Sequence, residues 1–196
     1  LALVTYRDHG DAFVTQVTPF TADLEAFGTA LDRASADGGG DYEEAVPEAF
    51  AQMNALDWRS GNTARIVFHV ADAPPHPDQV AAFLEQVDLA RRSGIRIFPV
   101  AASGVGDVAE LLMRQTAQVT LSRYLFVTDD SGIGEGHAEP HIPCYQVQPL
   151  NSLMVRMVQY AVTGLLEPPD PADVIRSVGD PESGTCTLPD GSLAYL

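Results

Sequence analysis

Three short stretches of this sequence collect carboxylates where an apolar run ends or a helical pattern begins. They are Tyr6-Arg7-Asp8-His9-Gly10-Asp11, Gly38-Gly39-Gly40-Asp41-Tyr42-Glu43-Glu44 and Val70-Ala71-Asp72-Ala73-Pro74-Pro75-His76. In a chain that alternates strands and helices, such ends gather at one edge of the sheet, where ligands bind. Carboxylates converging there suit a hard divalent cation held by oxygen, Mg²⁺ or Mn²⁺. Each acid also has a plainer role. Asp41 can cap a helix or sit in its first turn beside the positive end of the dipole. Asp72 can be a turn residue before Pro74-Pro75, and His76 can be a solvated loop histidine.

Other residues offer competing chemistry. Gly104-Val105-Gly106-Asp107-Val108-Ala109 reads G-x-G-x-x-A between a strand and a helix, with Asp129 and Asp130 at the next strand end. That is the arrangement of a dinucleotide-binding turn, which makes a nucleotide-dependent oxidoreductase the alternative reading. Only one helical pattern follows, however, and the earlier acidic loops have no place in it. Asp129 and Ser131 form D-x-S, but Ile133 stands where a second Ser is needed, so a turn is the simpler account. His137, Glu139, His141 and Cys144 carry zinc-ligand chemistry at a spacing that matches no helical zinc motif. A surface loop with local hydrogen bonds explains them better. His69 lies inside a strand and reads as a core histidine, Trp58 as a helix-end packing residue. Ser103 lacks the context of a nucleophile.

The elements that must position these residues follow from periodicity. Residues 1–6 and 12–17 read as a hairpin. Thr21 caps a helix with Leu24, Phe27, Gly28 and Leu31 on one face, and residues 38–40 break the chain. A helix from about Glu44 turns Val46, Phe50, Met53 and Leu56 inward. Residues 66–70, 95–101 and 124–128 are short apolar runs, as in parallel strands covered on both faces. Between them lie helices carrying Val80, Phe83, Leu84, Val87 and Ala90, then Val108, Leu111 and Leu112. Leu150, Leu153, Met154, Met157, Val158, Ala161, Val162 and Leu165 form the longest amphipathic pattern. Residues 167–184 are rich in Pro, Asp and Gly, and Pro189-Asp190-Gly191 marks a small hairpin. The order predicts a three-layer α/β domain, doubly wound, with a mostly parallel sheet and one antiparallel edge hairpin.

Composition narrows the partners. The 196 residues carry 27 acids against 11 bases, all Arg, for a net charge of −16. Such a surface repels phosphate and anionic lipid, so neither nucleic acid nor membrane is an expected partner. No apolar run approaches the ~20 residues that span a bilayer. The two cysteines, Cys144 and Cys186, are either a single clip on the tail or separate thiols, which leaves the compartment open.

The acidic stretches resemble, in content and order, the von Willebrand factor type A (vWA) family. The likeness is to a prokaryotic branch with Y-R-D-H after the second strand, G-G-G-D before the third helix and D-A-P-x-H after the fourth strand, and it covers residues 1–164. It implies a vWA-like domain over residues 1–166, with residues 167–196 as a Pro/Gly-rich tail. It implies a non-enzymatic protein-interaction role and a metal-ion-dependent adhesion site built from three loops. The family's first loop carries D-x-S-x-S, the second a Thr or acid, the third an Asp. On this likeness Asp72 matches the third-loop ligand and Asp41 the second, with Glu44 as the substitute. Asp8 and His76 border the site where the protein ligand docks. No Ser pair follows Asp8 or Asp11, so they do not replace the first loop.

The resemblance further implies that the strand bearing D-x-S-x-S precedes Leu1 and that the metal site of residues 1–196 is incomplete. That strand is central in the family, between the strands at 1–6 and 66–70. The expectation is therefore a fragment with two apolar edges, unstable or self-associating on its own. The implied setting is extracytoplasmic or at the cell surface.

Overall fold

The computed structural model describes residues 1–35, 40–102, 104–131, 144–179, 181–182, 185–187 and 190–195. The chain opens with the antiparallel hairpin β1 (Leu3–Tyr6) and β2 (Thr15–Thr18), paired from Leu3↔Thr18 to Tyr6↔Thr15. Helices α1 (Leu24–Asp32) and α2 (Val46–Asn54) follow. Next come β3 (Arg65–Ala71), α3 (Val80–Arg92), β4 (Ile95–Ala101), α4 (Asp107–Val119) and the short β5 (Leu125–Phe126). The architecture is mixed α/β: a small parallel sheet in the order β3-β4-β5, flanked by helices, plus antiparallel hairpins. The hairpin β1–β2, expected at the edge of that sheet, forms a two-stranded sheet of its own.

Strand β4 is the centre of the core. Ile95, Ile97, Phe98, Val100 and Ala101 are each at most 1% exposed, because helices cover both faces of the strand. One face gathers Val46, Phe50, Met53, Phe83, Val87, Ile97 and Leu112 from α2, α3, β4 and α4. The other sets Phe98 and Val100 against Met157 of α5 (Leu150–Thr163). Pro99 is tolerated in β4 because its missing N–H faces the β5 side, where the ladder begins only at Val100↔Leu125. One residue pair earlier on that side, Ile97 donates its N–H to Thr120 Oγ1 at 3.1 Å, and its carbonyl accepts from Ser122 Oγ.

Several faces read from periodicity are turned differently. Asp23, not Thr21, caps α1: its carboxylate accepts from Ala26 N at 2.9 Å, while Thr21 Oγ1 accepts from Asp23 N. No residue of α1 is buried, and Leu24 is 72% exposed. The helix stands off the hairpin across an open cavity of about 440 Å³, lined by Leu3, Phe13, Ala30 and Arg33 among others. Helix α2 starts at Val46 rather than Glu44, because Glu44 is drawn into a parallel bridge with Pro75. In α4, Val108 and Leu111 face outward; Ala109, Leu112, Met113, Thr116 and Ala117 are buried at ideal helical spacing. In α5, Val158 and Val162, expected inward, are exposed, as is Leu165 just past its end, while Leu153, Met157 and Tyr160 pack on the sheet.

The segment read as a tail is stitched to the domain. Strand β6 (Tyr145–Val147) pairs with β7 (Arg176–Val178), and Arg176 donates to Asp130 Oδ2 at 2.8 Å. Strands β8 (Pro181–Glu182), β9 (Thr185–Thr187) and β10 (Leu193–Tyr195) form a final antiparallel sheet. A Cys144–Cys186 disulfide closes a 42-residue separation and ties that sheet to the start of β6. Chain-entropy arguments give a loop of this length up to about 4 kcal/mol of stabilisation. Cys186→Ser is therefore expected to lower unfolding stability by about 2–4 kcal/mol under non-reducing conditions. An unchanged urea midpoint would show that the terminal sheet is held without the clip.

Candidate functional site

The ends of β1 and β3 bring the loops at 7–11 and 72–76 together with residues 104–106 before α4, and the segment 40–44 lies across them. Two contacts between distant residues define the arrangement. Asp8 Oδ1 lies 2.8 Å from His76 Nε2. Glu44 N donates to Pro74 O at 3.0 Å, which anchors the segment before α2 on the loop after β3. Pro74 and Pro75 are buried, and His76 precedes Pro77, so the backbone carrying the imidazole is stiff and extended.

Asp8, Asp41 and His76 each present one ligand atom, all within 4.8 Å of one another. This group unites a residue expected to hold metal, Asp41, with the two expected at the ligand-docking border, Asp8 and His76. Asp72 and Glu44 are not among its three members. Asp72 has an exposed side chain and contributes its backbone: its carbonyl accepts from the Tyr42 hydroxyl at 2.6 Å. Glu44 Oε2 is wholly buried and has no hydrogen-bond partner among the described residues.

The electrostatics are one-sided. Burial alone raises the Asp8 carboxyl, but hydrogen bonds from His76 and the His9 backbone overcome it and hold the pKa below the ordinary Asp range. The same hydrogen bond, with the fields of Asp41 and Glu43, lifts His76 above its usual value. Glu44 is pushed up by burial and then by Asp8, Asp11, Asp72 and Asp41. Tyr6 is raised by burial, with Glu44 and Asp72 adding to it. The largest influences at Asp8, Glu44 and His76 come from burial, acids and histidines rather than from arginine. Arg7, the nearest base in sequence, turns away to Ser35 and the Phe13 ring.

Tyr42, which sequence reasoning passed over, joins three of the loops. Its hydroxyl donates to Asp72 O, lies 3.2 Å from Gly104 O and accepts from Gly106 N at 2.7 Å. The glycine amide that a dinucleotide phosphate would need is thus engaged. A Cβ at Gly106 would sit 3.2 Å from the same hydroxyl, so glycine here makes room for a phenol. The first turn of α4 carries Asp107 and Glu110, which disfavour an anion at that helix start. Tyr42→Phe leaves the Gly106 N–H and an Asp72 lone pair without this partner. It is expected to cost about 1 kcal/mol, read from the urea midpoint. No change would mean that water replaces the hydroxyl fully.

His137, Glu139, His141 and Ser103 lie outside the described residues, as do Gly38, Gly39 and Ile133. Cys144 is in a disulfide and is no thiolate ligand. Asp129 and Ser131 belong to a 3-10 turn. His69 is buried with its Nε2 at 3.1 Å from the Tyr6 hydroxyl. Trp58 packs on the core at the end of α2 and donates to Met53 O at 2.9 Å. No helix among the described residues is long and apolar enough to cross a membrane. Comparison with known protein families and with curated proteins returns no match for the chain.

Proposed function

We propose that this chain is a vWA-like interaction domain that recognises a protein ligand through a divalent cation at the edge formed by Asp8, Asp41 and His76. The observation that carries the reading is the convergence of these ligand atoms within 4.8 Å where carboxylates outnumber bases. A cation held there by few protein atoms keeps open positions, and an acidic side chain of a partner is the natural occupant. Asp72 and Glu44, beside the group, are the reserve of oxygen ligands. The reading is of a binder, and no catalytic role is assigned.

The split sheet supports the finer part of the proposal, a doubly wound domain completed by one more strand. Ala102 donates to Ala71 O, so the N–H and C=O groups of Ile66, Phe68 and Val70 point away from β4. Arg7 N donates to Val14 O, so Val4 and Tyr6 likewise turn away from β2. Among the described residues neither edge has a ladder, and the Tyr6–His69 hydrogen bond links the two. A strand between them, in cis or in trans, would end beside Asp41 and Asp72, where the resemblance expects D-x-S-x-S. The dinucleotide alternative is weaker, given the engagement of Gly106 N by Tyr42.

The test uses the full chain, stripped with chelator and reloaded with Mn²⁺, against an immobilised Asp-containing peptide. Metal-dependent capture, reversed by chelator and lost in Asp8→Ala and Asp41→Ala, is expected. Capture indifferent to metal, or retained in both variants, would remove the reading.

A further inference from the structure

We infer that the edge selects a borderline cation, Zn²⁺, over the hard ions Mg²⁺ and Ca²⁺, because one of its three ligands is an imidazole nitrogen. The inference rests on the cation-site reading above and adds the identity of the ion. Mg²⁺ and Ca²⁺ take oxygen ligands, and Mg²⁺ sheds water reluctantly. Imidazole suits Zn²⁺ and related first-row ions, whose affinity for mixed nitrogen and oxygen donors rises from Mn²⁺ toward Zn²⁺.

The nitrogen is a built part of the site. His76 Nε2 already points at Asp8 Oδ1, 2.8 Å away. Its backbone is fixed from one side by the buried Pro74-Pro75 pair and the Glu44 N to Pro74 O bond, and from the other by Pro77. Two ligands bonded to one ion at ~2.0–2.2 Å lie roughly 3–3.5 Å apart. The observed group lies within 4.8 Å, and its hydrogen-bonded Asp8–His76 pair, at 2.8 Å, would part slightly to admit an ion.

The experiment titrates the chelator-stripped full chain with ZnCl₂, MnCl₂, MgCl₂ or CaCl₂ by calorimetry. The wild type is expected to bind Zn²⁺ at least about tenfold more tightly than Mg²⁺, with Mn²⁺ falling below Zn²⁺. His76→Asp makes the group all-oxygen and is expected to shrink that gap or reverse it while Mg²⁺ binding persists. Circular dichroism checks that the variant is folded, and His76→Cys, which restores a soft ligand, should recover Zn²⁺ preference. Asp8→Ala and Asp41→Ala should weaken all four ions. Equal affinities in the wild type, or a preference untouched by His76→Asp, would overturn the inference and leave the cation site standing. Zn²⁺ binding unaffected by Asp8→Ala and Asp41→Ala would place the ion elsewhere and also overturn it. No binding of any cation by the wild type would sink both this inference and the site itself.

Discussion

In solution, residues 1–196 will associate through strand edges, and the oligomers will grow with concentration. The cause lies in where the backbone groups of two strands point. Ile66, Phe68 and Val70 of β3 direct their N–H and C=O away from β4, and Val4 and Tyr6 of β1 direct theirs away from β2. Val70 is 59% exposed beside the first of these edges. An open edge lined by apolar side chains is a template for another strand. The chain's charge of −16 opposes association, so the effect should strengthen with salt. Val70→Pro is the informative variant. Residue 70 spends no N–H on β4, so proline there breaks no ladder bond and blocks an incoming strand. His69 before it is already extended, as a residue before proline must be. Sedimentation velocity should show dimers and larger species for the wild type. The variant should need at least about tenfold higher concentration to associate, with unchanged far-ultraviolet dichroism. A wild type that stays a monodisperse monomer at high concentration and salt would refute the account.

How far the sequence could be read depended on the range of the interactions. Strand β4 was legible because a strand buried on both faces must be apolar throughout, and residues 95–101 are. The helices were legible in position but not in orientation. In α4, Val108, Leu111, Leu112 and Met113 are apolar nearly all round, so periodicity could not choose between faces. The sheet chose, taking Leu112 and Met113 and leaving Val108 and Leu111 in solvent. The same ambiguity turned Val158 and Val162 outward in α5.

The candidate site was legible as a set of loops, since carboxylates at strand ends converge by topology. Its pairing was not. Asp8 and His76 are 68 residues apart, and nothing local says that they meet. Asp72 shows the same limit. Its position at the end of β3 was foreseeable, but the atom it uses toward Tyr42 is a backbone oxygen. Tyr42 did carry a signal, an aromatic residue inside a Gly- and acid-rich turn, which has reason to be there only if its ring or hydroxyl has a partner.

Acid will destabilise the domain between pH 6.5 and 4, and His69 will account for about 3 kcal/mol of the loss. This histidine is 8% exposed in β3, with the Phe50 ring edge-on at 4.9 Å and the Tyr6 hydroxyl at its Nε2. Burial alone lowers its pKa from 6.5 to about 4, with no carboxylate to offset the cost of charging it. Its Nδ1 has no partner among the described residues, so an imidazolium, which carries N–H on both nitrogens, would hold a buried donor unpaired. The sign follows from the order of the two pKa values. Below pH 6.5 the unfolded chain takes up a proton that the folded chain refuses until about pH 4, so stability falls with pH across that interval.

Other groups act differently. Asp8, with its lowered pKa, weakens the fold only below its unfolded value of 3.8. His76, raised above 6.5, loses its contribution as pH climbs through the folded value, on the alkaline side. Glu44, raised above 4.5, works against His69 within the interval, because its protonated form is the one the fold prefers. His69→Gln separates these terms, keeping a hydrogen-bonding amide for the Tyr6 hydroxyl without a titrating ring. Urea unfolding of wild type and variant at pH 7 and pH 4, with chelator present, gives the answer. The wild type should lose about 3 kcal/mol more than the variant between the two conditions. Equal losses would mean that water or a rearranged Tyr6 solvates the imidazolium, and that burial of His69 sets no acid limit on the fold.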